Sequence, residues 1–109
     1  MQVPTPTEDA QQRFEDLVEA LGPEVRRAQM MGRPTIMSGR TMVACLSGDR
    51  LGVKLGRSTD RFAEALELDG AEVFEPGPGH QFKDWVAIPV SSGDTWVPFT
   101  LSAIEWVRG

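Results

Sequence analysis

Hydrophobic residues recur at helical spacing near both ends of the chain and in shorter, strand-like runs between them. The first helical stripe comprises Phe14, Leu17, Val18 and Leu21. It follows Thr5-Pro6-Thr7-Glu8, which has the form of a capping box with proline at the first helical position, and Gly22-Pro23 ends it. The remaining face of this helix is strongly acidic, so we expect it to face water.

The segment 25–55 has the pattern of successive β-strands, because short aliphatic and β-branched runs alternate with glycine-containing turns. Gly48-Asp49 is a two-residue hairpin signal, which places Ser47 opposite Arg50 and sets the register of the two strands. Strict alternation then predicts a core face made of Met42, Ala44, Leu46, Leu51, Val53 and Leu55. It predicts an open, partly basic face made of Val43, Cys45, Ser47, Arg50, Gly52 and Lys54.

Two further helices and two further strands follow. Ser58-Thr59-Asp60 starts the second helix, and the third begins near Asp94 or Thr95. The fourth strand begins at Phe74, and residues 81–90 form the fifth. Between these two strands the prolines and glycines of segment 75–80 predict an irregular loop.

The order α-β-β-β-α-β-β-α indicates one α+β domain over residues 1–109. Hairpin-connected strands with interspersed helices predict a two-layer α/β sandwich, in which helices cover one face of a single antiparallel five-stranded sheet. Trp85 is expected in the core. The open face of the central hairpin then carries no aromatic residue, which gives base stacking on that face little support.

The charge of the chain is unevenly distributed. The net charge of −5 argues against an indiscriminate nucleic-acid binder. Residues 26–61 nevertheless contain eight basic and two acidic groups, whereas the rest of the chain contains three basic and fourteen acidic groups. This asymmetry indicates a dipolar molecule in which acidic helices and a basic sheet partly neutralise one another.

Cysteine content and hydropathy favour a cytoplasmic location without membrane association. The single cysteine, Cys45, has no internal disulfide partner, which fits a reducing compartment. The start of the chain lacks the basic and apolar regions of a signal peptide. The longest weakly charged segment, 85–104, is interrupted by Pro89 and Pro98, so it does not have the form of a membrane-spanning helix.

Residues with catalytic or ligand-binding chemistry are few and scattered. Cys45 lies mid-strand near Lys54, a position that would lower the thiol pKa modestly, although a small residue filling a sheet position is the simpler interpretation. His80 is expected at a loop tip, and one histidine with one cysteine makes no zinc site of the usual kind. Gly77-Pro78-Gly79 lacks the lysine and the helix start of a phosphate loop. We therefore predict no enzyme, no metal and no cofactor.

Five short motifs in a fixed order resemble a known family. They are Met30-Met31-Gly32, Gly39-Arg40-Thr41-Met42-Val43-Ala44, Leu51-Gly52-Val53-Lys54-Leu55, Phe74 and Trp85-Val86-Ala87-Ile88-Pro89. Together they resemble the N-terminal domain of the TfoX/Sxy family, named for bacterial regulators of competence. Two positions depart from the family pattern, because Met31 and Val43 stand where the family usually has phenylalanine.

The resemblance implies a two-layer α/β fold with one antiparallel sheet, similar in architecture to type III secretion chaperones and YjbR-like domains. The family has no established catalytic residues, so none is carried over. The longer competence regulators continue into a second, helical domain, whereas this sequence stops at Gly109. We therefore do not expect their transcriptional role to apply as a whole.

Three hypotheses about function follow. The first is a non-enzymatic cytoplasmic regulatory or adaptor domain, linked to transcription or competence, that binds a protein partner or a second copy through the open sheet face. The second is a nucleic-acid-binding accessory protein that uses the basic segment 26–61, and the third is a thiol-dependent activity at Cys45. The candidate surface for a protein or nucleic-acid partner comprises Arg33, Arg40, Val43, Cys45, Arg50 and Lys54.

Overall fold

The computed structural model describes residues 5–30 and 32–109, which form three α-helices and six β-strands. The elements in chain order are α1 (Glu8–Leu21), β1 (Arg26–Met30), β2 (Arg33–Ser38), β3 (Thr41–Ser47), β4 (Arg50–Lys54), α2 (Asp60–Leu66), β5 (Glu72–Gly77), β6 (His80–Pro89) and α3 (Trp96–Arg108). Short 3-10 turns follow α1 and precede α3. The described residues include no helix that is long and apolar enough to cross a membrane.

Threonine side chains cap the first two helices. The α1 cap is Thr7, whose hydroxyl accepts a hydrogen bond of 3.2 Å from the backbone N–H of Ala10. The predicted capping box, which placed the N-cap at Thr5, is therefore wrong by two residues. The helix begins after Pro6, and Thr7 occupies the N-cap position. Thr59 caps α2 in the same way through the N–H of Phe62, and this start agrees with the prediction.

The sheet has six antiparallel strands in the order β1-β2-β3-β4-β6-β5, so the prediction of five strands is wrong. The additional strand lies in segment 25–55, which contains four strands rather than three. Strand β1 is an edge strand of sequence RRAQM and is mostly exposed. An edge strand that contributes little to the core has no apolar alternation, so its sequence does not reveal it. The α+β class and the antiparallel sheet are confirmed.

All three helices pack on one face of the sheet and enclose the main core. The predicted β3–β4 hairpin is confirmed, with Ser47 opposite Arg50 and Ala44 opposite Val53. The helix-facing side chains of these two strands are buried, as are the inward stripes of the helices. Trp96 at the start of α3 is anchored in this core, because its indole N–H donates to the carbonyl of Ile88 at 3.2 Å.

A β-bulge in β3 reverses two of the predicted side-chain directions. Ile36 pairs with Ala44 but its neighbour Met37 pairs with Met42, so Val43 is an extra residue in the strand. A bulge breaks the strict alternation of side chains. As a result Val43 lies in the helix-facing core with no exposed surface, while Met42 packs on the opposite face. The predictions for Val43 and Met42 are therefore wrong.

The β5–β6 hairpin bends over the face of the sheet that the helices leave open. The predicted irregular loop at 75–80 is instead a tight turn at 78–79, with Gly77 opposite His80. Pro76 is tolerated because β5 is an edge strand. Two register shifts between Val73 and Gly77 change the course of the hairpin. The carbonyl of Pro76 thereby reaches Arg33 of β2 at 2.9 Å, although three strands lie between β2 and β5 in the sheet.

Candidate functional site

The open face of the sheet carries a second, smaller hydrophobic cluster. It consists of Cys45, Phe74, Trp85 and Ala87, with Met42 and Phe82 packed against it. The three aromatic rings are in mutual contact at centroid distances of 5.6 to 6.1 Å. Trp85 is buried, as predicted, but on the open face rather than beneath the helices. Strands β5 and β6 therefore supply the aromatic residues that the central hairpin lacks.

Cys45 lies beneath this cluster and is not an exposed thiol. Burial raises the pKa of the Cys45 thiol from 9.0 to about 11, and this effect outweighs the nearby charge of Arg33 and a hydrogen bond with Thr35. The predicted lowering of this pKa by Lys54 is therefore wrong in direction. Because the thiolate is the reactive form of cysteine, the buried thiol is a poor nucleophile at neutral pH.

Arg33 is a buried structural side chain rather than a free surface cation. Only 5 % of the residue is exposed. Its guanidinium donates to the carbonyl of Pro76 at 2.9 Å and, through Nε, to the hydroxyl of Ser47 at 3.3 Å. Arg33 thus ties the bent end of the β5–β6 hairpin to the first strands of the sheet, and it lies close enough to Cys45 to influence the thiol pKa.

The other predicted surface residues are spread over the molecule. Arg40 is exposed in the turn between β2 and β3. The Nη1 of Arg50 donates to the carbonyl of Gly70 at 2.6 Å and lies 3.6 Å from the carboxylate of Glu72. Val43 is in the helix-facing core, as described above. The structure therefore brings Arg33 and Cys45 together but does not assemble the six predicted residues into one surface.

Ion pairs with acidic groups engage much of the basic segment 26–61. Arg27 binds Glu15 of α1 through two hydrogen bonds of 2.6 and 2.9 Å, and so links the sheet to the acidic helix. Arg61 pairs with Glu64 at 3.0 Å within α2. The Arg27–Glu15 contact agrees with the predicted neutralisation of the basic sheet by an acidic helix. Both contacts reduce the positive charge that this segment offers to a polyanion.

An open hollow remains where the bent hairpin does not cover the sheet. We call it the open-face hollow; its volume is about 290 Å³ and its lining residues are Met42, Lys54, Phe82, Lys83, Asp84 and Trp85. Met42 and Phe82 are half-buried and form its apolar floor, while Lys83 is exposed at the rim. Lys54 is the one residue of the predicted surface that lines the hollow. Its ammonium also lies 5.9 Å from the ring centroid of Trp106 on α3.

The carboxylate at the hollow already has a cationic partner. Asp84 Oδ1 accepts hydrogen bonds from the backbone N–H of Arg57 at 3.0 Å and from its Nε at 2.9 Å. These bonds lower the pKa of the Asp84 carboxyl from its ordinary value, so this group stays ionised and bound to Arg57. The two lysines therefore give the hollow its residual positive charge.

Phe82 and Lys83 were not predicted as functional residues. Their position depends on the register shift between β5 and β6, and that of Met42 depends on the bulge at Val43. Neither irregularity has a local sequence signal of the kind that Gly48-Asp49 provides for a hairpin. The one available hint was the Phe82-Lys83 pair itself, an aromatic residue beside a basic one within a strand.

Within residues 5–30 and 32–109, no group of three or more histidine, cysteine, aspartate or glutamate side chains is placed to hold a metal ion. Comparisons of the chain with protein-family models, with curated proteins and with solved structures gave no significant match.

Proposed function

We propose that this chain is a non-enzymatic, cytoplasmic regulatory or adaptor domain of the TfoX N-terminal type that binds a protein partner at the open-face hollow. The observation that carries this proposal is the apolar floor of Met42 and Phe82 left uncovered between Lys54 and Lys83. The proposed relation to this family is supported by the order of the five sequence motifs. Its Gly-Arg step lies at the β2–β3 turn, and its tryptophan-to-proline motif lies in β6.

The composition of the hollow suits a protein ligand. Methionine is flexible and polarisable, so Met42 can adapt to an incoming side chain. Partly exposed aromatic rings such as Phe82 are typical anchors at the centre of protein interfaces. The lysine ammonium groups would attract a partner with acidic residues and speed its association. The surrounding strands hold these side chains on a rigid support.

The state of the thiol supports a binding role over a catalytic one. Cys45 is the one cysteine of the chain, and its raised pKa of about 11 keeps it protonated at neutral pH. An activated cysteine nucleophile needs the opposite shift and access to the substrate. The thiol-dependent hypothesis therefore loses the observation that motivated it.

The proposal is tested by capturing partners from an extract of the native cytoplasm after nuclease treatment. We expect the unmodified protein to retain a specific partner, which Phe82→Ala and Lys83→Glu each lose. Arg13→Glu is the matched control, because it makes the same charge change at an exposed position on α1, on the other side of the sheet. Retention of the partner by Phe82→Ala and Lys83→Glu, or its equal loss by Arg13→Glu, would contradict the proposed site.

A second candidate is nucleic-acid binding at the same end of the sheet. The half-buried ring of Phe82 beside Lys83 is an arrangement on which a single-stranded base can stack while a phosphate meets the ammonium. Exposed Arg26 and Arg40 lie near each other, since Arg26 Nη2 donates to the carbonyl of Gly39 at 3.3 Å. Fluorescence anisotropy with a labelled single strand at low salt tests this candidate. Binding that weakens steeply with salt and is lost in Lys83→Glu would favour it.

A further inference from the structure

A groove between α2 and α3 carries exposed hydrophobic side chains that the open-face hollow does not explain. We call it the α2–α3 groove; its volume is about 500 Å³ and it is lined by Leu55, Thr59, Arg61, Pro98, Leu101, Ser102, Glu105 and Trp106. Leu101 and Trp106 are 42 % and 40 % exposed. They are two of the three large hydrophobic residues that are most exposed in the described part of the chain.

Packing within one chain does not explain why α3 has hydrophobic residues at these two exposed positions. The stripe that α3 buries against the sheet includes Trp96, Phe99, Ala103 and Ile104. Leu101 lies outside that stripe. Trp106 packs one side of its ring against Gly56, where an added β-carbon would lie 2.5 Å from the ring. One part of the indole is thus held in place while another part stays open to solvent.

The charges of the groove are arranged so that they complement those of an identical groove. Arg61 lies at one end, where its guanidinium carbon is 5.5 Å from the ring centroid of Phe99. Its Nη1 forms an exposed ion pair with Glu64 at 3.0 Å, and the remaining N–H donors of the guanidinium can bind a second carboxylate. Glu105 lies two helical turns beyond Pro98 on α3, and the described residues offer it no ion-pair partner within 4.0 Å. In a two-fold symmetric contact the same surface of both copies meets, so each charged group must face one of opposite sign on the other copy. A cation at one end of the groove and an anion at the other end meet this requirement.

We propose that the chain forms a symmetric dimer in which the α3 helices of two copies pack antiparallel in the α2–α3 groove. A two-fold axis between Leu101 and Ser102 places Glu105 of one copy level with Pro98 of the other, which is the end where Arg61 lies. The same operation brings the two Leu101 side chains together at the centre. The two Glu105 residues then lie about 10 Å apart along the helix axis, so they do not oppose each other directly.

The proposal is tested by sedimentation equilibrium of the full chain. We expect a reversible dimer at concentrations of about 10 to 100 µM, because the contact involves one short helix per copy and a small area. Leu101→Lys should raise the dissociation constant more than about tenfold by placing two ammonium groups at the axis. Met30→Lys is the matched control, since Met30 on the edge strand β1 is 43 % exposed, and it should leave the dimer unchanged.

Charge reversal tests the predicted pairing directly. Arg61→Glu and Glu105→Arg should each weaken the dimer several-fold, and the double variant Arg61→Glu/Glu105→Arg should restore it. These residues are exposed, so circular dichroism is expected to show an intact fold in every variant. A monomer at about 100 µM would overturn the proposal. So would a dimer that Met30→Lys dissociates and Leu101→Lys does not, because that result assigns self-association to the edge of the sheet.

This inference stands apart from the proposed function, because Lys83→Glu in the open-face hollow should leave the dimer unchanged. Conversely, Leu101→Lys should retain the captured partner. The two surfaces are therefore tested separately, and either can fail without the other.

Discussion

Gly52 of β4 provides the sharpest test of the bent hairpin, because its missing side chain makes room for Phe74. A β-carbon added at Gly52 would lie 2.8 Å from Cδ2 and 2.9 Å from Cε2 of the Phe74 ring. Phe74 is only 4 % exposed and is held by Phe82 and Trp85. The ring therefore has little freedom to move aside, so Gly52→Ala should displace the hairpin from the sheet.

The magnitude follows from two opposing terms. Replacing a strand glycine by alanine, where the backbone allows it, stabilises a protein by about 0.4 to 1 kcal/mol through the unfolded state. Forcing an extra methyl group into a packed core costs about 1 to 3 kcal/mol. With central values of about 2 kcal/mol for the steric cost and about 0.7 kcal/mol for the gain, we expect Gly52→Ala to lower the free energy of unfolding by about 1 kcal/mol.

Urea unfolding followed by tryptophan fluorescence and circular dichroism measures this change. Gly77→Ala is the matched control in the same hairpin. Its backbone does not require positive φ, and an added β-carbon there meets no atom within 4 Å. Gly77→Ala should therefore leave the unfolding midpoint unchanged or raise it, whereas Gly52→Ala should lower it by roughly 1 M urea.

The reasoning is refuted if Gly52→Ala is as stable as the unmodified protein. A double-mutant cycle locates the cause. Phe74→Leu should cost less in the Gly52→Ala background than alone, with a coupling energy of at least about 0.5 kcal/mol, because the smaller side chain relieves the clash. Additive effects would place the destabilisation somewhere other than the Gly52–Phe74 contact.

Two further predictions concern the tether of the hairpin and the pH dependence of stability. Arg33→Met leaves the Pro76 carbonyl without its donor, so it should lower the free energy of unfolding by about 1 to 3 kcal/mol, as measured by urea unfolding; an unchanged midpoint would show that this hydrogen bond does not hold the hairpin in place. Arg57 lowers the pKa of the Asp84 carboxyl, so this pair stabilises the fold above the unfolded-state pKa of about 4 and loses that effect as the pH falls through the folded-state value. Asp84→Asn should therefore be less stable than the unmodified protein at neutral pH but equally stable below the folded-state pKa of Asp84, as measured by urea midpoints; a difference that persists there would contradict an electrostatic origin.

Features of the fold that depend on short-range signals were predictable from the sequence. The Gly48-Asp49 turn sets the register of β3 and β4 by itself, and Thr59 marks the start of α2 through its own hydrogen bond. The number of strands was not predictable in this way. Strand β1 pairs with β2 by backbone hydrogen bonds while most of its side chains face water. Its sequence therefore lacks the alternation of apolar and polar residues that indicates a strand.

The candidate site was less predictable because it depends on irregularities in the sheet. Strict alternation of side chains along β3 predicts Val43 on the open face. The β-bulge adds one residue to β3, so the Val43 side chain points into the helix-facing core instead. Arg33 has the sequence environment of a turn residue, yet the long-range bend of β5 buries it. The hairpin register predicts Lys54 on the open face, and Lys54 pairs with Trp85 and lines the open-face hollow, although its ammonium also lies near Trp106 of α3. The positions of Phe82 and Lys83 depend on the bend of the β5–β6 hairpin, which the sequence does not indicate.

The two free edges of the sheet bear on aggregation. An exposed edge strand can pair with another chain and start an intermolecular sheet. At one edge, the exposed side chain of Arg26 places positive charge on β1, and Arg27 is held against Glu15 of α1, so a second β1 in parallel register would bring two Arg26 side chains together. At the other, Pro76 removes a backbone donor from β5, and the bend carries the end of that strand towards β2. Strand addition is thus discouraged at both edges, and association of folded molecules is directed to side-chain surfaces instead.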